Sequence, residues 1–214
     1  MGKHLLLFLS VILLVSACPA QDDWKLKSEK DNIRVYSRKL SDSKINAVKL
    51  ETVFNTSLAR LVWVIMDVSA YDSWIYNSKS TRLLKKVSDT ELYYYSEVVF
   101  PWPTSNRDFV SHVVVNQDPK TKTVTINANN VSGWEPVHKK LVRIDHSVGK
   151  WVLTPVSTNE VRVEYTLQVD PGGELPALLI NSFSSTGMVR TFKTLREQLQ
   201  KVSPPAAAVS FIME

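Results

Sequence analysis

Apolar positions change their spacing along the chain, and each change marks a different element. Between residues 91 and 98, Leu92, Tyr94, Ser96 and Val98 fall on one side and Glu91, Tyr93, Tyr95 and Glu97 on the other. Phe109, Ser111, Val113 and Val115 alternate with Val110, His112 and Val114. Val124, Ile126 and Ala128 alternate with Thr123, Thr125 and Asn127, and Trp151 to Val156 is a further apolar stretch. The cleanest alternation sets Val161, Val163, Tyr165, Leu167 and Val169 against Arg162, Glu164, Thr166 and Gln168. Period two with one wet face predicts an antiparallel sheet covered on one side only. Earlier in the chain, an Asp31-Asn32 turn leads into Ile33–Val35 alternation, and residues 45–54 form a second extended stretch.

Between these strands the period lengthens. Leu58, Leu61, Val62, Ile65 and Met66 lie at i, i+3, i+4, i+7 and i+8, one apolar face of a short helix. Asn55, Thr56 and Ser57 offer capping oxygens just before it. Residues 71–74 read as another helical turn. At the far end, Asp170-Pro171-Gly172-Gly173 stops a strand, and Pro176 sits where a helix can begin without losing a hydrogen bond. Leu179, Phe183, Met188, Phe192, Leu195 and Leu199 then make a broken apolar stripe. A helix of that extent reaches roughly 37 Å, enough to cross a small sheet, and Gly187 marks a place for a bend. The sheet must bury its apolar face against something, and this helix supplies the cover. The expected fold class is α+β: a strongly curved antiparallel sheet gripped by a long C-terminal helix. A space between the two is a natural apolar pocket.

Composition changes this picture mainly at the N-terminus. Lys3 and His4 precede the apolar run 5–15, and Ser16, Ala17 and Ala20 follow it. That order describes a secretory signal over residues 1–20, too short for a mature membrane span. The domain then covers 21–202, and Ser203-Pro204-Pro205 opens a tail, 203–214, expected to be flexible. The formal charge of +5 falls to +4 without Lys3. Such a small, scattered charge reads first as a solvated mixed-charge surface, with an anionic membrane surface as the alternative, and does not point to nucleic acid. Cys18 is the only cysteine, so no intramolecular disulfide is available. Val15-Ser16-Ala17-Cys18 resembles a bacterial lipobox, in which Cys18 is the lipid-attachment residue; cleavage after Ala20 would discard it instead. The expected location is therefore the periplasm or a membrane-anchored lipoprotein, with secretion as the alternative.

Three segments are similar to the START domain, the steroidogenic-acute-regulatory-related lipid-transfer family. They are the stretch Pro101-Trp102-Pro103-Thr104-Ser105-Asn106-Arg107-Asp108-Phe109-Val110, the turn Val169-Asp170-Pro171-Gly172-Gly173-Glu174-Leu175-Pro176, and Tyr71-Asp72-Ser73-Trp74. Their order and spacing match the family over nearly all of residues 24–200. The resemblance implies a helix-grip fold, an internal tunnel, and binding of one lipid without chemical change. It also implies exchange with a membrane through movement of the C-terminal helix or nearby loops. The expected oligomeric state is a monomer. One departure stands out. Cholesterol-carrying members hold a buried Glu–Arg pair at positions matching Tyr94 and Val113 here. Sterol specificity is thereby in doubt, and acyl lipids or other apolar ligands stay open.

Four lipid-binding candidates follow. Arg107 either points inward as a head-group anchor or fixes its loop through hydrogen bonds. Tyr94 gives either a cavity hydroxyl or a core ring bonded at the rim. Phe183 and Met188 lie on the covering helix, and the thioether of Met188 adapts to variable apolar partners. Trp134, on a loop bounded by Gly133 and Pro136, either meets a membrane interface or plugs the sheet end. No metal or cofactor is expected: His112, His138 and His146 lack ligand spacing with each other or with Cys18. No phosphate loop or nucleophile elbow occurs, and Ser105, Asp108 and His112 make a triad only on paper. The competing reading is a cyclase- or aromatase-like enzyme using the same cavity.

Overall fold

The computed structural model describes residues 23–41, 43, 45–205 and 209–214, except for the side chains of 177–179 and 182–184. Residues 1–20, where a secretory signal is expected, and Cys18 lie outside the described residues.

Two consecutive left-handed residues, Asp31 and Asn32 with φ of 57° and 59°, turn the chain between β1 (Lys25–Lys30) and β2 (Ile33–Lys39). Asp and Asn tolerate this region, and a two-residue turn of this hand matches strand twist. The segment read as one incoming strand is therefore a hairpin. After β3 (Asn46–Phe54), α1 (Leu58–Met66) begins where the Ser57 hydroxyl accepts a hydrogen bond from the Arg60 N–H. A 3-10 turn at Val68–Ala70 leads into the short helix α2 (Tyr71–Trp74). Seven strands follow: β4 (Ser78–Ser88), β5 (Glu91–Val98), β6 (Arg107–Gln117), β7 (Val124–Asn130), β8 (Val142–Arg143), β9 (His146–Ser157) and β10 (Glu160–Asp170). The chain then enters α3 (Ala177–Lys201), with Pro176 at its N-cap.

The strands form one sheet in the order β1-β2-β3-β10-β9-β7-β6-β5-β4, and β8 pairs in parallel with the start of β6. Every other pairing is antiparallel. The long-range partner is β10, which returns to lie beside β3 with Tyr165 opposite Leu50. One face of this curved sheet is wrapped around α1 and α3, and the core lies between them. Phe54, Phe192, Leu195 and Leu199 close the end of that space nearest α1.

The tail departs from expectation. Residues 209–214 dock back onto the domain, with Ile212 buried in the main core. The Gln117 amide bonds both ways with the Met213 backbone, and the Glu214 carboxylate accepts from the Ala59 N–H in the first turn of α1. A carboxylate there is favoured by the unpaired N–H groups of a helix start. Apolar Phe211 and Ile212, placed after a Pro-rich breaker, hold the end of the chain down. α3 runs unbroken from 177 to 201, through Gly187.

Candidate functional site

Between the concave face and the first half of α3 lies a cavity of about 240 Å³. Its walls follow from strand parity. Tyr94 and Val98 on β5, Phe109 and Ser111 on β6, and Tyr165, Leu167 and Val169 on β10 all point inward. Ile180, Met188 and Thr191 of α3 form the roof, and Trp74 with Ile75 and Tyr76 forms one side. Among the described residues no charged side chain lines it.

A partition of rings separates this cavity from the filled end of the core. Trp151 stacks on Phe192 at 5.2 Å between centroids and lies 4.3 Å from Tyr165. Phe54 backs Phe192 at 5.9 Å. On the opposite wall Tyr71 meets Trp74 and Tyr94 edge-on, at 5.4 and 5.2 Å. Such packing fixes ring orientations and leaves the hydroxyls as the polar features of an apolar chamber. Burial pushes the Tyr94 phenol up to about 12, against a smaller opposing effect of its bond with Ser111. Burial likewise raises Tyr165 and Tyr71, so all three stay neutral. Tyr71 donates to the carbonyl of Ile65. The Nε1–H of Trp74, in contrast, is buried without a hydrogen-bond partner.

Tyr94 and Met188, both named from the sequence, line the cavity. The backbone of Phe183 belongs to α3, and its side chain is outside the described residues. Arg107 shares the inward parity of Phe109 but is not a lining residue. Its Nε and Nη2 donate to the carbonyls of Pro171 and Gly172, both at 3.2 Å, its Nη1 donates to Ser105, and its guanidinium covers the Phe100 ring. It ties the loop 99–106 to the turn before α3. Asp108, on the other face, takes two bonds from Arg143, at 2.8 and 2.9 Å, and one from Tyr95. Arg143 also donates to the carbonyls of Glu135 and Pro136. Neighbouring charges thus anchor two loops at the cavity mouth, which Phe100, Ile144 and Pro171 line.

Those loops carry exposed apolar groups. Trp102 is 92 % exposed and Val137 is 73 % exposed, with Lys139 and Lys140 exposed beside Val137. Trp134 neither plugs the sheet end nor stands free. It lies flat on the outer sheet face, stacked on Tyr93 at 4.1 Å, and Tyr93 stacks on His112. His112 bonds Glu91 and Asp108 bonds Arg143, so the paper triad with Ser105 is not assembled. Sequence reasoning missed Trp74, Ser111, Gly149, Trp151, Tyr165 and Thr191. The inward parity of Ser111 and Tyr165 was legible; the register that brings them to one chamber was not.

Two other hollows differ in kind. A cleft of about 890 Å³ at one end of the β3–β10 pair is walled by Arg34, Glu51, Arg162, Glu164 and Arg196 and is polar in character. A groove of about 380 Å³ runs between the end of α1, β4 and Phe211. Of these three hollows among the described residues, the chamber under α3 joins apolar walls to a mouth framed by anchored loops.

A curved antiparallel sheet closed by a long terminal helix over a neutral, ring-lined chamber defines a helix-grip, ligand-holding protein. Comparison with known families sharpens the class: a family model described as START domain matches residues 11–204. The chain belongs to the START domain family. It is similar to a STAR-related lipid transfer protein fragment from Xanthomonas axonopodis of known structure, with TM-score 0.77 and 31 % identity, covering 84 % of this chain and 99 % of that one. It is also 30 % identical over 180 residues to an uncharacterized protein of Pseudomonas aeruginosa, 84 % of this chain and 88 % of that protein. Phosphatidylcholine transfer protein of Mus musculus is 27 % identical over 183 residues, 83 % of this chain and 84 % of that protein.

Proposed function

We propose that the protein binds one apolar lipid in the chamber under α3 and transfers it to or from a membrane without altering it. The observation that carries this reading is the cavity itself, walled by apolar and ring side chains and roofed by a single helix. Its volume of about 240 Å³ is below the roughly 300–1,000 Å³ of most small-molecule pockets. A full-length lipid therefore enters with outward movement of the first half of α3. The reading without an enzymatic step is supported by the similarity to lipid transfer proteins.

The membrane partner is supported by the mouth. Tryptophan is favoured at membrane interfaces, and Trp102 stands on a loop pinned by Arg107 beside the opening. Trp102→Ala should weaken binding to anionic vesicles several-fold in a sedimentation assay and leave Tm unchanged; equal sedimentation removes the loop from the docking face. Export to the cell envelope rests on the signal pattern and Cys18. Membrane partitioning unchanged in Cys18→Ala would discard the anchor.

The direct test of the function is organic extraction of the purified protein followed by mass spectrometry. A recurring lipid in about one-to-one ratio supports the carrier. A chemically modified product that appears only with active protein would overturn it in favour of a cyclase-like enzyme. An empty protein that takes up no hydrophobic dye would also overturn it.

A further inference from the structure

Within the lipid-carrier reading, one hydroxyl of the chamber is left open to whatever fills it. Tyr165 faces inward from β10 with the parity of Val161 and Val163, and its ring lies against Trp151 of the neighbouring strand, 4.3 Å between centroids. The phenol slants along the sheet rather than standing straight up from it. Gly149 of β9 sits opposite Leu167, two residues further along β10, and Ala128 of β7 sits opposite Gly149. A Cβ on Gly149 would come within 3.3 Å of the Tyr165 hydroxyl and 3.3 Å of the Ala128 carbonyl. Glycine inside a strand commonly marks such a close approach. Here its missing side chain leaves the Tyr165 hydroxyl its place in the chamber, on a shelf of two small residues.

That hydroxyl has no hydrogen-bond partner among the described residues, and the polar groups nearby are spent. Tyr94 bonds Ser111, Thr191 accepts from the Tyr76 N–H, and Tyr71 donates to the Ile65 carbonyl. Among the described residues, the buried side-chain polar atoms that are both unbonded and closed off on every side are Thr56 Oγ1 and Trp74 Nε1. The Tyr165 hydroxyl is unbonded too, yet it is not closed off, so its oxygen borders open space. That space is the chamber, whose wall Tyr165, Gly149 and Ala128 all form. Tyr165 nevertheless lies deep: burial raises its phenol and keeps it a neutral donor and acceptor. A deep hydroxyl without a partner is uncommon in a folded protein and costs its desolvation. A ligand oxygen on the shelf recovers that cost.

We infer that the bound lipid carries an uncharged oxygen, such as an ester carbonyl, placed beside Gly149 and hydrogen-bonded by the Tyr165 hydroxyl. An ionised carboxylate or phosphate fits poorly there. No charged side chain lines the chamber among the described residues, and the charge would be desolvated without a counter-ion. Tyr165 is thus a specificity-determining residue, favouring lipids with a neutral oxygen at this depth over ionised ones and over bare hydrocarbon. The inference rests on the carrier reading and adds the class of ligand.

The test uses the full chain and three probes: methyl laurate, pentadecane, which matches it in heavy atoms, and laurate at about pH 8. Each competes with the neutral dye N-phenylnaphthylamine, and each affinity is referred to the dye's own Kd in that variant. Tyr165→Phe keeps the ring and removes only the hydroxyl. It should weaken methyl laurate about three- to tenfold, the worth of one hydrogen bond, and leave pentadecane unchanged. In the wild type, methyl laurate should bind more tightly than laurate. If Tyr165→Phe does not fold, the wild-type protein carrying carbon-13 at tyrosine Cζ decides: methyl laurate should move the Tyr165 resonance downfield and pentadecane should not. An equal loss for ester and hydrocarbon in Tyr165→Phe, no loss for either, tighter binding of laurate, or a Cζ resonance that answers both probes alike overturns the anchor alone. Failure of the wild type to take up dye or any of the three probes overturns the carrier reading and the anchor with it.

Discussion

The two ends of the space under α3 use the same kinds of residue and reach opposite results. At the α1 end, Phe54, Phe192, Leu195 and Leu199 are buried in contact with the core of both layers. The docked tail adds Ile212 to the same cluster. At the other end, Tyr94, Trp151, Tyr165 and Met188 are also apolar or aromatic, yet they surround a hollow. Protein interiors normally pack to the density of organic crystals, so a hollow is a sacrifice of dispersion contacts. The filled end stabilises the fold and holds the second half of α3. The hollow end gives that stability up for ligand space. The Trp151–Phe192 stack is the boundary between them.

The sharpest way to break this comparison is to hollow out the filled end. Leu195 is 0 % exposed and sits beyond the ring partition. Leu195→Ala should cost about 3–5 kcal/mol, the transfer term plus a residual cavity. Urea unfolding would measure it. A loss under about 1 kcal/mol would mean that this end collapses easily and is no more tightly filled than the chamber.

The next effect lies at the rim of the hollow end. Asp108 is 1 % exposed, and its carboxylate takes both bonds from Arg143 while Arg143 holds the 131–141 loop. Asp108→Asn keeps the shape and leaves Arg143 without its counter-charge, which should cost about 3 kcal/mol, the lower end for breaking a buried pair because Arg143 is partly exposed. Dye uptake should persist at temperatures below the lowered Tm, since Asp108 faces away from the chamber. Loss of uptake in the folded variant would show that rim and chamber are one unit rather than a stiff frame around a separate space.

Much of this frame was legible in the residues, for a physical reason. Alternation is a local property, so the inward faces of β5, β6, β7 and β10 could be read directly. The apolar face of α1 and the Pro176 start of α3 were equally local. Register and long-range closure are not local. That β10 returns beside β3, and that Gly149 makes room for the Tyr165 hydroxyl, depend on pairings more than a hundred residues apart or on cross-strand neighbours. The Asp31-Asn32 turn was visible, but its left-handed geometry, which makes a hairpin of one apparent strand, was not. Arg107 was placed on the correct strand edge, whereas its bonds to the Pro171 and Gly172 carbonyls come from a loop 64 residues away. The docked tail was hidden behind its Pro-rich start.

The smallest expected effect tests whether the boundary in α3 is one of packing or of helix stiffness. Gly187 precedes Met188, at the junction of the covering half and the anchored half. Alanine inside a helix is favoured over glycine by about 0.8–1.0 kcal/mol. Against that gain, a Cβ here would lie 3.1 Å from Cδ1 of the Tyr76 ring. That ring is not free to swing away, because Arg190 donates to its hydroxyl and covers its face, and the Tyr76 N–H donates to Thr191. A shift of a few tenths of an ångström suffices, and its cost should cancel most of the helix gain. Gly187→Ala is therefore expected to change stability by less than about 1 kcal/mol. Its effect should show in binding instead, since Gly187 and Tyr76 both line the chamber. Uptake of N-phenylnaphthylamine should weaken a few-fold as the ring is pressed toward the ligand space. A gain of the full helix increment with unchanged uptake would mean that Tyr76 yields freely, and that glycine at 187 serves the bending of α3 rather than the fit of its roof.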